Sequence, residues 1–537
     1  MLKKIFNFTN IWFLIFLVSL LYIKELNYLY FDSTQSADFG KYFSYFEYYF
    51  NVANETFREQ GTIYYYIHSL NFYRYGGVLN ESNFFFLLSK SVQEINFFIY
   101  AIGLLGYFYL LRFFKFKKIH IFATFTVLNF FPLLIAMLIT FKPEILIFAL
   151  LPWILLCLEK FKKDKSIISL FIGIPILVVA ITTKGSALGM LGAYLFLTNI
   201  NLLKKLNFKN FVILLLCFVT LFLIISIHDY QINNATILEV KHDEKYNNKA
   251  DFDILYNFNF VKIVKSPIKH NHASSFVGLT LLDTFGDYFD IYWNNDSSLF
   301  YKNRSEVLII TESEQLKAPV INIFDKTITV NAQYLTDIYL TSSLGLLLSL
   351  IFYFSLFRNL FIKNRYKKFI FAPLVGIVLI LFQSILGFPH NNWDPEVGDS
   401  IKPYYYAFFI CLSLIFLIVN QLKTNRVAYF LIPLFVLISM NILGFPKTEE
   451  RDYVNEIEQV NSFSSFCQLN TIVFNDLNNF KISSCNNLEI TKRITYPEFN
   501  NFVEPPRVQL INLFILGILL SALIAISRKE IFPTIKN

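Results

Sequence analysis

IWFLIFLVSLLYIKELNYLYFDSTQSADFGKYFSYFEYYF runs from Ile11 to Phe50. Its first half, through Tyr30, is an apolar run of the length needed to cross a bilayer core of about 30 Å. No small-residue cleavage site follows the run, which continues as YIKELNYLYF. The segment therefore reads as an uncleaved anchor rather than a signal peptide. The second half places Asp32 and Asp38 at the end of that helix, then Tyr42, Phe43, Tyr45, Phe46, Tyr48, Tyr49 and Phe50 with Lys41 and Glu47 among them. Such a belt suits an amphipathic helix lying in the membrane interface, where aromatic rings are favoured. A second belt, TIYYYIHSLNFY, follows at 62–73. The two together predict a shelf at headgroup depth with the aspartates beneath it.

The rest of the chain repeats the first run. Of 537 residues, 55% are hydrophobic and only 16% charged, against about a quarter charged in a soluble protein. Mean hydropathy is +0.48. Apolar runs of spanning length recur near 11–30, 95–114, 119–140, 144–158, 167–183, 186–200, 211–227, 336–357, 369–388, 404–420, 427–445 and 509–527. The fourth to sixth are short. The net charge of +8 does not point to nucleic acid, because the basic residues sit as short blocks at helix ends. Lys3 and Lys4 precede the first run. Lys115, Lys117 and Lys118 follow the second, Lys160 to Lys165 the fourth, and Lys204, Lys205 and Lys209 the sixth. Arg358 to Lys368 follow the eighth, Lys423 and Arg426 the tenth, and Arg528 and Lys529 the twelfth. Every block falls on one side, which the positive-inside rule makes cytoplasmic. The expected fold is an all-α polytopic membrane protein with about twelve transmembrane helices, outer-face interfacial helices and a small α/β-like extracytoplasmic C-terminal loop region. Both termini are expected in the cytoplasm, and the membrane is expected to be the cytoplasmic one.

The expected organisation is an N-terminal transmembrane module over 1–227 that includes the outer loop 31–94, and an outer loop with interfacial helices over 228–335. A second transmembrane group covers 336–445, a small extracytoplasmic domain 446–508, and a last helix with its tail 509–537. The inner face receives only short basic connections, and no GxxxxGK[ST] motif is present. An ATP-driven pump is thereby disfavoured, and chemistry is expected at the outer face. Cys157, Cys217 and Cys411 fall inside spans, whereas Cys467 and Cys485 share the last outer loop. An oxidising compartment joins such a pair, and a loop of that size contributes about 3 kcal/mol; two free thiols are the alternative.

Charged side chains beside spans are candidates for function. The turn TFKPEIL supplies Lys142 and Glu144, and TTKGSALG supplies Lys184. GFPHNNWDPEVGDSIKPYYY supplies His390 and Lys402, with Trp393, Asp394, Glu396 and Asp399 between them. Snorkelling to headgroups is the plainer use of the lysines, and a polar loop position the plainer use of His390. No HxxxH or CxxC pattern points to zinc. In SSFVGLTLLDTFGDYFDIYW, residues 274–293, Asp283, Asp287 and Asp290 recur at spacings of four and three. That spacing predicts one helical face, interleaved with rings that stack on sugars. An interfacial helix is the plainer reading, and the carboxylates are also chemically suited to a hard divalent ion. No cofactor is assigned. Asp38 suits a helix N-cap or a general base. Transfer of a sugar from a lipid phosphate to a hydroxyl needs one carboxylate to take the acceptor's proton and cations for the leaving phosphate. Asp32 is the second candidate for that carboxylate.

The segment STQSADFGKYFSYFEYYF and the charged turn KPE, Lys142 to Glu144, resemble the C class of membrane glycosyltransferases, which use polyprenyl-phosphate-linked sugars. The resemblance covers roughly residues 1–200, and the remainder by topology only. It implies an acidic catalytic base in the first outer loop, best matched by Asp38, and a charged turn between the third and fourth spans. It also implies a lipid-linked sugar donor, a glycan or lipid acceptor, and membrane lipids as partners. The chain departs from the pattern in lacking a DxD pair in the first loop, where Asp32 and Asp38 stand six apart, and in having a small last outer loop. A polymerase or ligase of lipid-linked glycans is the second reading; the outer arginines Arg58, Arg74, Arg304, Arg451, Arg493 and Arg507 form no paired motif for a diphosphate. A transporter or flippase is the third, although no internal repeat supports it. A purely structural subunit leaves the outer charges unexplained.

Overall fold

The computed structural model describes residues 8–30, 42, 45, 49, 61–75, 84–165, 167–203, 208–233, 247–248, 252–267, 272, 274–286, 309–312, 319–323, 326–329, 332–362, 365–386, 391–392 and 403–442. Helices occupy each of the first eleven apolar runs; the twelfth, 509–527, lies outside the described residues. In chain order they are α1 (Phe8–Tyr30), α2 (Ile63–Arg74), α3 (Phe84–Phe113), α4 (Lys118–Asn129), α5 (Pro132–Ile139), α6 (Glu144–Asp164), α7 (Ile167–Thr182), α8 (Gly185–Leu203) and α9 (Phe208–Asn233). They continue with α10 (Phe260–Lys265), α11 (Phe276–Thr284), α12 (Ala332–Phe361), α13 (Lys367–Ile370), α14 (Ala372–Leu386), α15 (Ala407–Thr424) and α16 (Ala428–Ile442). Five helices among the described residues are long and apolar enough to cross a membrane, or six if a bent pair counts as one span.

That bent pair is α4 and α5, which meet at 66°. The sequence reads as one run, 119–140, but Pro132 cannot donate to the helical ladder and clashes with the preceding turn. Phe131, the residue before it, is accordingly extended (φ −76°, ψ 117°), and Pro132 opens the next helix. The fourth run is longer than its apolar core suggests: α6 has 21 residues because Lys162 and Lys163 form its last turn. Lys165 closes it with a left-handed φ of 54°.

Packing sorts the helices by depth. The 403–424 span is 78% buried and the 208–227 span 11%, so α15 is central and α9 faces the surroundings. α6 packs between α3 and α7, α1 against α4, and α15 against α4 and α6. Close approach of α3 to α6 needs Gly103, where a Cβ would stand 3.0 Å from the Ala149 backbone. Polar pairs tie the apolar surfaces: Asn129 donates to Ser19 (2.7 Å) and accepts from the Tyr100 hydroxyl (2.7 Å), joining α1, α4 and α3.

At one end of the bundle, Glu159 of α6 pairs with Lys162 (2.8 Å) and with Lys368 of α13. At the other end α6 begins at Glu144. The loop 228–335 contains strands that the sequence reading did not anticipate: β2 (Ile309–Glu312), β3 (Pro319–Ile323) and β4 (Lys326–Thr329) form an antiparallel meander. Two further short strands, β1 (Asn247–Asn248) and β5 (Asn391–Asn392), pair in parallel and tie that loop to the one before α15. The α/β-like region expected over 446–508 lies outside the described residues.

Candidate functional site

The two turns singled out for their charges come together at the Glu144 end of α6. Thr140 to Pro143 join α5 to α6, and Thr183 and Lys184 join α7 to α8. Glu144 is fully buried and forms an ion pair with Lys184, which is itself buried. The position suits a carboxylate, because the first turn of a helix carries partial positive charge. Lys142 is buried as well, with its ammonium over the rings of Tyr42 (5.9 Å) and Tyr404 (5.5 Å). Lys184 lies over Tyr405 at 4.6 Å. Neither lysine snorkels: both are buried against tyrosine rings, and Lys184 is paired with the Glu144 carboxylate.

A 3₁₀ turn, Pro403–Tyr406, organises that enclosure. Three residues per turn separate successive side chains by about 120°, so three adjacent tyrosines point three ways. Tyr404 meets Lys142 and shares a 3.1 Å hydrogen bond with Thr140, Tyr405 covers Lys184, and Tyr406 lies against Tyr353 near Asp283. The sequence reading marked this turn for its charges and passed over the tyrosines. His390 and Lys402, from the same turn, lie outside the described residues.

The first loop supplies the cover, in a different way from the shelf read in the sequence. Tyr42 and Tyr45 are buried, as are Tyr64, Tyr65 and Phe72 of α2. Tyr45 stacks on Tyr65 at 4.2 Å and 11°. These rings pack on protein; on α2 the exposed positions are Tyr66, Leu70, Tyr73 and Arg74. Tyr42 stands against Lys142, and the rest of the first aromatic belt apart from Tyr45 and Tyr49 lies outside the described residues. Ahead of α2 the chain is pinned twice. Gly61 N–H donates to Thr183 O at 3.0 Å, and Thr62 donates from its amide (3.2 Å) and hydroxyl (2.7 Å) to one oxygen of Asp229 in α9. Asp32 and Asp38 lie outside the described residues, as do Cys467 and Cys485.

Beneath the cover, Asn96 of α3 donates to the carbonyls of Leu138 and Thr140, both at 3.0 Å, satisfying acceptors that the end of α5 leaves open. Its oxygen must then accept, and it receives the Tyr64 hydroxyl at 2.8 Å. Burial drives the Tyr64 phenol pKa well above its ordinary value; the Asn96 bond opposes the rise and nearby Glu144 adds to it. His68 contacts Tyr64 O through Nδ1 (2.7 Å) and the same Asn96 oxygen through Nε2 (3.0 Å). Both acceptors welcome a proton, yet complete burial outweighs them and pushes the imidazole pKa down to about 4.

This sets an acid limit. Between the ordinary histidine value of about 6.5 and about 4, the unfolded chain takes up a proton that the folded chain refuses, so stability falls as pH falls through that window. The loss amounts to about 3 kcal/mol when complete. Unfolding of the purified protein followed from pH 7.5 to pH 4.5 is expected to show this decline, and His68→Gln is expected to flatten it. An equal slope in both proteins would assign the decline elsewhere.

Asp283 ends a second polar strand of the site. It is buried in α11, next to Thr284, whose hydroxyl is 3.0 Å from that of Tyr353 in α12. Phe285 then packs on Phe131 at 4.9 Å and on Phe352 at 6.0 Å. Asp283 thus faces the bundle interior, not a membrane surface. Because α11 stops at Thr284, it does not extend to the expected common face with Asp287 and Asp290; both of those lie outside the described residues. Among the described residues no group of three or more His, Cys, Asp or Glu is assembled as a metal site.

The assembled chemistry is two enclosed ammonium groups, the Glu144 carboxylate paired with one of them, and walls of tyrosine. Asn96, His68 and Asp229 escaped the sequence reading; the signal available was a polar residue within or beside an apolar run. No protein-family model, curated protein or solved structure matches this chain.

Proposed function

We propose that the chain transfers a sugar from a polyprenyl-phosphate donor to a glycan, lipid or protein acceptor at the outer face of the cytoplasmic membrane. In this reading about twelve helices span the bilayer, with both termini inside. The observation that carries it is the meeting of two turns far apart in sequence at one end of an apolar helical bundle: Glu144 pairs with Lys184, Lys142 lies against Tyr42 of the first loop and Tyr404, and Lys184 lies against Tyr405. The lysines neutralise the leaving phosphate, as preorganised cations do for developing charge. Asp38, on the same loop as Tyr42, takes the proton of the attacking hydroxyl, with Asp32 as the alternative base. A single displacement of this kind inverts the anomeric carbon.

Mass spectrometry of lipid-linked and surface glycans tests the proposal in wild type, a deletion strain and Asp38→Asn. Loss of one sugar residue in both mutants is the expected result. An intact repeat unit with short chains would mean a polymerase or ligase instead. Full-length glycan in both would overturn the carbohydrate reading and favour transport.

A further inference from the structure

We propose that Glu144 is the residue that reads the sugar: its second carboxylate oxygen accepts a hydrogen bond from a ring hydroxyl of the donor. The inference rests on the glycosyl-transfer reading and assigns one residue a specificity role within it. One oxygen of Glu144 is committed to Lys184. The other, Oε2, is buried and has no hydrogen-bond partner, and the residue as a whole is 0% exposed. A buried acceptor left unmade is costly, more so when charged, and native structures rarely keep one without a use. An ionised carboxylate oxygen only accepts, so the missing partner is a donor.

The neighbourhood narrows the donor to a hydroxyl. Lys184, paired with Glu144, disfavours a second cationic group, while a phosphate has nothing to donate when ionised. Tyrosine faces from Tyr42, Tyr404 and Tyr405 line the same site, as suits a hydroxylated ring. The two functions are then divided within one ion pair. Lys184 serves the phosphate, which every polyprenyl-phosphate sugar shares, and Glu144 serves the hydroxyl, which differs between sugars.

Glu144→Gln tests the role with little change of shape. A lysine only donates, so the glutamine keeps its oxygen toward Lys184 and turns its NH₂ into the place of Oε2. The acceptor becomes a donor and the charge assistance is lost. Binding to the full-length protein is measured with undecaprenyl phosphate alone and with its glucosyl, galactosyl, mannosyl and arabinosyl forms. The expected result is that wild type prefers at least one glycosylated form over the bare carrier. Glu144→Gln should then lower that preference about tenfold or more while the variant still binds the bare carrier, at least as tightly as wild type because Lys184 has lost its neutralising partner. The retained carrier affinity also shows that the variant is folded. Equal weakening for bare and glycosylated lipids, or an unchanged preference, would overturn the role of Glu144 and leave the transferase reading standing. Failure of wild type to bind any of the lipids would overturn both.

Discussion

Lys184→Met is expected to destabilise the protein by about 3–5 kcal/mol, the range for removing one member of a buried ion pair. Methionine fills the volume, so little of the loss comes from packing. The loss comes from Glu144, which is wholly enclosed and would be left without the ammonium opposite it. Adding Glu144→Gln to Lys184→Met is expected to restore most of the stability, because a neutral amide needs no counter-ion. Glu144→Gln alone should be milder than Lys184→Met: the lysine side chain keeps 10% exposure, an oxygen to bond and the Tyr405 ring. Reversible unfolding in mixed micelles ranks the three variants. A double variant as unstable as Lys184→Met would mean that the lysine stabilises through something other than the pair. Stability and activity are expected to separate, with the double variant folded and inactive.

Gly61→Ala is expected to release the first loop. A Cβ at residue 61 would stand 1.9 Å from the carbonyl oxygen of Thr182 and 2.9 Å from its carbon. Both are backbone atoms at the end of α7, so no side-chain rotation relieves the clash. The amide of residue 61 then leaves Thr183, and Thr62 is drawn away from Asp229. The loop that carries Tyr42 and Tyr45 loses its registration over Lys142. A misplacement of about 1 Å costs about a hundredfold in a preorganised site, and transfer activity is expected to fall at least that far. Limited proteolysis should cut the first loop faster in the variant, with helix content unchanged. Wild-type cleavage rates in Gly61→Ala would show that the turn moves instead. Asp229→Asn keeps an acceptor oxygen for Thr62 and is expected to be mild in both assays.

Much of this was legible in the sequence because a bilayer demands long apolar runs, and a charge beside such a run has little reason to be there without a role. Lys142, Glu144 and Lys184 stood out in that way, and they meet. Continuity of a run was a poorer guide. Pro132 sat in plain view in FFPLL, yet length and hydropathy carried the reading across it, where the backbone breaks. Asp283 and Asp287 were grouped by spacing alone; the glycine at 286 was the available stop signal, and α11 ends at Thr284. Tyr404 to Tyr406 had no contrast to offer in a chain with 32 Tyr and 63 Phe. Their importance comes from the 3₁₀ turn, which no side-chain pattern announces. The aromatic belts of the first loop were seen, but not which of their rings turn into the protein, as Tyr42, Tyr45, Tyr64 and Tyr65 do, and which stay exposed, as Tyr66 and Tyr73 do, since a ring suits lipid and a protein wall equally well.

The contact of Thr62 with Asp229 spans 167 residues of chain. At about 5–20 residues per second of synthesis, Asp229 follows Thr62 from the ribosome by roughly ten to thirty seconds. For most of that interval α7 and α9 are still being made, and the first loop has neither of its anchors. An early segment of the chain is therefore among the last to be finished, and under the proposed outward topology a cell that inspects nascent membrane proteins has a long view of its tyrosines before they are covered.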